Sequence, residues 1–251
     1  MTGARCAALA LAALLVHSTG ARAAEPEKVL LRLKPHAAVT YAVSINERST
    51  REKPGRPSIE PAMRTAETIQ QTVTAAAADA LTVVVTPGTR VVFVREKTVG
   101  QNPPGKPLSY TMTTRGARPD AKDDPSAALF PVLPEQAVAP GYTWSATVPG
   151  TPDFPLPIAV EHTFKSVAPV DGLKCAILMS TGHAEGVDPV SQAKVSFEMK
   201  SEIAIALDEG VIARSMSWLR TRGELAKPLA TGEAVVLTEV SRTVSRIAAG
   251  H

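Results

Sequence analysis

The sequence predicts an all-β protein built as a strongly curved antiparallel sheet. An open barrel or clam of about ten or eleven strands with one short helix fits best, and a β-sandwich is the alternative. Three observations predict it. Between Val195 and Leu207 every odd position is apolar or small: Val195, Phe197, Met199, Ser201, Ile203, Ile205, Leu207. The even positions read Ser196, Glu198, Lys200, Glu202, Ala204, Ala206. Strict period two over that length means a long strand with one buried face and one wet face. Next, Asp208-Glu209-Gly210 supplies turn chemistry, and Val211 to Arg222 returns as the second arm of a hairpin. That arm carries Ile212, Met216 and Trp218 on one parity and Val211 and Leu219 on the other, so a bulge or change of face is expected in it. Finally, most of the remaining chain falls into shorter alternating runs separated by Pro, Gly and Asp.

Taken in order, Val29, Leu31 and Leu33 alternate in a first strand from Lys28 to Lys34, stopped by Pro35. Val39, Tyr41, Val43 and Ile45 form the second. Arg48 to Pro61 is charged and Pro-containing and reads as a loop. Residues 63–78 hold an Ala run that favours helix, but Ile69, Gln71 and Val73 stand at strand spacing. Strand is preferred there, because Leu81 to Thr86 beside it is plainly β. Arg90 to Lys97 and Leu108 to Arg115 are further strands. Gly116 to Pro125 is a polar loop. Asp124 as N-cap and Pro125 at the first helical position predict a short helix over 125–131, ended by Pro131 and Pro134.

A strand then opens at Gly141-Tyr142-Thr143-Trp144, and 154–157 is extended. Ile158, Val160, His162 and Phe164 alternate toward Val167. Asp171-Gly172 turns the chain, and Leu173, Cys175, Ile177 and Met179 alternate back. Gly182 to Ser191 reads as a loop. Residues 233–247 form a closing strand, with helix as the alternative because Val236, Val240 and Val244 are four apart.

Residues 1–23 read as a secretory signal peptide: Arg5, an apolar run from Cys6 to Val16, and the A-x-A site Ala21-Arg22-Ala23. The run is too short to span a bilayer, so a soluble periplasmic or extracellular protein without a transmembrane anchor is expected. The rest, 24–251, is expected to be one domain, with two weakly similar halves at about 27–115 and 140–248. The stretches 72–86 and 164–178 superpose with Asp79 on Asp171, Leu81 on Leu173 and Val85 on Ile177. The 27 basic residues against 24 acidic ones exclude a dedicated nucleic-acid binder. Without residues 1–23, Cys175 is the sole cysteine, so core burial rather than a disulfide must stabilise the chain.

Leu133-Pro134-Glu135, Pro140-Gly141-Tyr142-Thr143-Trp144 and Val170-Asp171-Gly172-Leu173-Lys174-Cys175-Ala176-Ile177 carry a resemblance. Over residues 130–222 the chain resembles a group of largely uncharacterised exported bacterial β-proteins. In that group a Trp segment leads into a hairpin whose turn reads V-[ND]-G-x-x-C-A. The resemblance implies a strand anchor and a strand reversal, not a chemistry. By looser analogy of architecture such proteins resemble the half-barrels of periplasmic lipoprotein carriers.

Reactive constellations are sparse. No Gly-rich phosphate loop, HExxH, CxxC or GxSxG occurs. Ser191 and Lys194 match SxxK, but they enter a strand rather than open a helix. His162 lies on the apolar parity of its strand, where a core or rim histidine is the stronger reading than a catalytic base. His183, Glu185 and Asp188 share one loop without the spacing of a metal site, so an ordinary polar loop is the stronger reading. Asp120, Asp123 and Asp124 read as a solvated loop and cap. Cys175 reads as a buried, inert thiol.

The expectation is therefore a non-enzymatic exported protein, free of cofactor and metal. It would bind an apolar small molecule or lipid, or a partner protein of the envelope, in the concave face of its sheet. Trp144, Phe164, Phe197, Met199 and Trp218 are the candidate lining residues, although core filling is the stronger role for the two tryptophans. A structural envelope protein without ligand and a hydrolytic enzyme are the alternatives.

Overall fold

The computed structural model describes residues 27–53, 56–119, 130–148, 156–188, 192–224 and 235–247, with 52, 53 and 56–59 described by their backbone. Among them every regular element is a strand, and the strands form one 13-stranded antiparallel sheet. The first half supplies β1 (His36–Lys53), β2 (Arg56–Ile59), β3 (Met63–Ala77), β4 (Ala80–Pro87), β5 (Arg90–Val94), β6 (Lys97–Asn102) and β7 (Leu108–Thr113). The second supplies β8 (Thr143–Val148), β9 (Ile158–Val170), β10 (Leu173–Val187), β11 (Lys194–Ala206), β12 (Val211–Glu224) and β13 (Val235–Arg246).

The strand order is β6-β5-β3-β1-β13-β12-β11-β10-β9-β8. From β8 to β12 it is a run of hairpin neighbours, and β13 joins this meander to the first half by pairing with β1. The sheet branches at β3. Its first residues pair with β5, while Ile69 onward pairs with β4, which carries β7 on its far side.

The core shows how far the sheet curls. Val73, Leu81 and Val83 from β3 and β4 lie in one cluster with Phe164, Leu178 and Ile203 from β9 to β11. In strand order those two groups are separated by β1, β13 and β12. They meet because the sheet bends until its ends face each other, which removes both apolar faces from water. Two extended segments fill the gap between them. Leu31, Leu33, Leu133 and Val138 from these segments all join the same cluster.

Arg32 and Arg115 hold the second segment in place. Arg32 donates through Nη1 to the Pro134 carbonyl at 2.6 Å and through Nη2 to that of Glu135. Arg115 donates to the Leu133 carbonyl at 2.6 Å and pairs with Glu135 at 2.6 Å. The Leu133-Pro134-Glu135 motif is thus a clamped plug.

Turn chemistry reads as expected where the sequence advertises it. Asp171 and Gly172 take φ of 50° and 79°, as a two-residue hairpin turn requires. Gly210 has φ 66°, and a Cβ there would stand 2.5 Å from the Lys34 Cγ. Lys34 Nζ donates to the carbonyls of Leu207 and Asp208, so that side chain caps the turn. The 63–78 and 233–247 alternatives resolve to strand in the described residues.

Several expectations are corrected. Residues 28–34 alternate correctly, with Leu31 buried and Leu30 exposed, but they form part of the plug rather than a sheet strand, held by the isolated Val29–Val138 bridge and by backbone bonds from Leu33 to Thr114 and from Lys34 to Gly210. Residues 48–53 and 56–59 are strand rather than loop. β1 runs on to Lys53 and pairs with β2 and β13, with Arg48 opposite Glu239 on β13. Arg90 to Lys97 is two strands, reversed at Arg95-Glu96 with φ of 49° and 61° and no glycine to signal it.

Residues 182–187 are not a loop either, since β10 continues to Val187. Gly182 is a packing glycine. A Cβ there would stand 3.3 Å from both Ile158 Cγ2 and Val160 Cγ2. These extensions and the extra turn explain why the sheet has more strands than expected. The helix predicted over 125–131 lies mostly outside the described residues, and Phe130 and Pro131 are not helical.

Candidate functional site

A cleft of about 510 Å³ opens where the β3-β4-β7 branch faces the β11-β12 turn. Strand parity builds its first wall. Ile69 and Val73 of β3 stand in register with Pro87 and Val83 of β4, and Val85 of β4 with Leu108 of β7. Tyr110 and Met112 continue that face. Leu33, Phe130 and Ile212 close the opposite side. Leu108 is 62% exposed, a large apolar side chain at the mouth that water does not favour.

The lining of the cleft holds four basic residues, Lys34, His36, Arg118 and Arg242, and no Asp or Glu. Lys34 is tied to its turn carbonyls. His36 Nδ1 is 2.8 Å from the Ala37 carbonyl. The Arg118 guanidinium lies 4.0 Å above the Tyr110 ring. Arg242 points from the inner face of β13, in register with Ser217 of β12 and Ile45 of β1, and is exposed.

Beside the cleft, Tyr41 pairs with Ile69 and Arg246 and is 3% exposed. Its hydroxyl has no hydrogen-bond partner. Burial pushes its pKa up to about 12, so the phenol stays neutral at physiological pH.

The residues proposed from sequence as cavity lining are elsewhere. Phe164 is fully buried in the main core, with Trp144 packed against it. The Trp144 indole N–H donates to the Val132 carbonyl at 2.9 Å. Phe197 and Met199 belong to a separate cluster with Val148, Ile158 and Val160. Trp218 is a correction: it pairs with Lys200, on the face opposite Met199, and the Lys200 ammonium lies 6.0 Å above its ring. A register shift between Ala204 and Ile205 restores the inner face at Ile212 and puts Met216 and Trp218 outside.

His162 is 2% exposed, and its Nδ1 shares a 2.8 Å hydrogen bond with the buried Ser180 hydroxyl. The Trp144 ring packs beside it, tilted by 37° with ring centroids 5.3 Å apart. Burial alone pushes its pKa down to about 4, so the ring is a neutral core group. The Ser–His contact has a nucleophile's spacing but is sealed from solvent on both sides, with Ser180 at 1% exposure.

Cys175 is fully buried and burial raises its thiol pKa. It packs with Ile177, Ala204, Ala206 and Ala213 on the face opposite Ile203 and Ile205. Ala204 and Ala206 therefore correct the simple wet-face reading: at that end β11 is buried on both sides.

His183 and Glu185 point outward from β10, 3.9 Å apart and largely exposed, and no metal-holding cluster occurs among the described residues. Ser191 of the SxxK match and Asp120, Asp123 and Asp124 lie outside the described residues, while Lys194 opens β11. No helix among the described residues is long and apolar enough to cross a membrane.

Sequence reasoning missed the cleft. Its residues were recognised as strand residues, but a facing partner from the far end of the sheet leaves no local pattern. The one usable sign was apolar Leu108 at the start of a strand bounded by the polar loop Gly100 to Pro107.

No known protein-family profile matches the chain, and no curated protein matches it. Among solved structures, a similar one is described as lipid–protein interactions in lipovitellin, with a TM-score of 0.43 and 12% identity. It covers 87% of this chain, which spans about a quarter (26%) of that protein. DynF from the dynemicin biosynthesis pathway of Micromonospora chersina aligns over 89% of this chain and 86% of its own, with a TM-score of 0.22 and 12% identity. A DUF1329 family protein from Desulfovibrio piger covers 85% of this chain and 88% of its own, with a TM-score of 0.18 and 8% identity.

Proposed function

We propose that this chain is an exported, non-enzymatic binding protein that holds an apolar small molecule or lipid chain in the cleft between the two ends of its sheet. One observation carries the reading: a cleft of about 510 Å³ with walls of Ile69, Val73, Val85, Leu108 and Met112. That volume falls within the range of about 300–1,000 Å³ typical of small-molecule sites, and apolar lining with a few polar groups is their usual composition. The sealed His162–Ser180 pair favours binding over hydrolysis, because a nucleophile must reach its substrate.

Native mass spectrometry of protein purified from its own envelope, followed by organic extraction, tests this reading. A bound apolar molecule is the expected result. Leu108→Glu, at an exposed position of the mouth, should lower both that occupancy and the binding of an apolar fluorescent probe. Met216→Glu, on the outer face, should change neither. Equal binding by the two variants, or wild-type protein that takes up no apolar probe, would overturn the reading. Export has its own measurement: intact mass should place the mature start near Ala24 without a lipid adduct.

A further inference from the structure

Resting on that reading, we infer that the cleft selects a single-chain anionic amphiphile, with its carboxylate or phosphate monoester head on Arg242 and its hydrocarbon chain between β3-β4-β7 and Ile212. Charge complementarity carries the inference. The cleft has four basic residues on its lining and no acidic one. Two carboxylates of the surrounding elements are held by other cations: Glu67 accepts from Arg90 at 3.1 Å and 3.3 Å, and Glu209 pairs with Arg246 at 2.6 Å. Glu47, two residues from Ile45 on the same face of β1, is a diagonal neighbour of Arg242 and does not appear in an ion pair with it among the described residues.

Of the four basic residues, Lys34 has its ammonium on two carbonyls, the His36 ring is held by one, and Arg118 is stacked on Tyr110. Arg242 is the exposed guanidinium with register neighbours Ser217 and Ile45 that present no charge. A guanidinium fork matches the two oxygens of a carboxylate or phosphate and loses little freedom in binding them. A neutral or cationic head at the same place leaves that charge desolvated without a partner, which is how the site would discriminate. A volume in the lower half of the small-molecule range suits one chain rather than the two of a diacyl lipid.

The test uses delipidated protein and four ligands of one chain length, each below its critical micelle concentration: laurate, dodecyl phosphate, dodecanol and dodecyltrimethylammonium. Dissociation constants come from displacement of a fluorescent apolar probe. Laurate, dodecyl phosphate or both should bind wild type at least about tenfold more tightly than dodecanol, and the cationic ligand should bind most weakly. Arg242→Gln should weaken the anionic ligands by about tenfold and leave dodecanol unchanged, the size expected for one charge-assisted contact. Its urea midpoint should match wild type, since Arg242 is exposed. If all four ligands bind alike, or Arg242→Gln weakens dodecanol equally, the inference falls while apolar binding stands. If none displaces the probe, or no probe binds, the binding reading itself has failed.

Discussion

Acidification should destabilise this fold through His162, by an amount the structure sets. The imidazole is sealed between Trp144 and Ser180, and burial holds its pKa at about 4 against an ordinary value of 6.5. Below pH 6.5 the unfolded chain takes up a proton that the folded chain refuses. Stability is therefore complete above pH 6.5, falls as pH drops, and levels off below about pH 4. At 1.36 kcal/mol per unit of pKa difference, the loss between pH 7.5 and 4.5 is about 2–3 kcal/mol. Urea unfolding, run at half-unit steps across that range, measures it. Carboxylates titrate in the same window, so the informative quantity is the difference between wild type and His162→Gln. The variant should be less stable at neutral pH, having lost a packed ring, but its profile should be flatter by about 2–3 kcal/mol over the interval. Parallel profiles would refute the reasoning: His162 would then be free to charge in the folded state, and the sealed pair would have to open.

Three further outcomes test the assignment of faces. Phe197→Ala and Ile203→Ala, at 7% and 4% exposure, should each cost about 2–5 kcal/mol in urea melts, while Glu198→Ala should stay within about 0.5 kcal/mol. Ala204→Leu should cost about 1–3 kcal/mol by overpacking the cluster around Cys175, although strict alternation places that residue in water. Cys175 should react slowly with a thiol reagent in native buffer and rapidly in denaturant, since its thiol is buried and its pKa raised, and equal rates would mean that this second cluster is open.

Much of the fold was written locally. Odd-position burial from Phe197 to Ile205, the reversal at Asp171-Gly172, the capped turn at Gly210 and the buried Leu31 and Leu33 all follow from period two and glycine conformation. These need only a few neighbouring residues, and a sequence displays them directly. Charge and glycine content misled where local rules have two meanings. Charged residues 48–53 belong to a strand because β13 and β2 take up their backbone ladder on either side, and Gly182 marks close packing rather than a turn. The candidate site was the least legible part. Ile69 and Ile212 line one cleft because a sheet of many strands curls until its ends meet, and the register shift in β12 turns Ile212 inward and Trp218 out. Twist summed over many strands is a property of the whole sheet, so no window of sequence contains it. Which residues alternate and where the chain reverses follow from side-chain period and turn residues alone. Which apolar faces meet follows from the curl of the whole sheet, and the space left between them is the cleft.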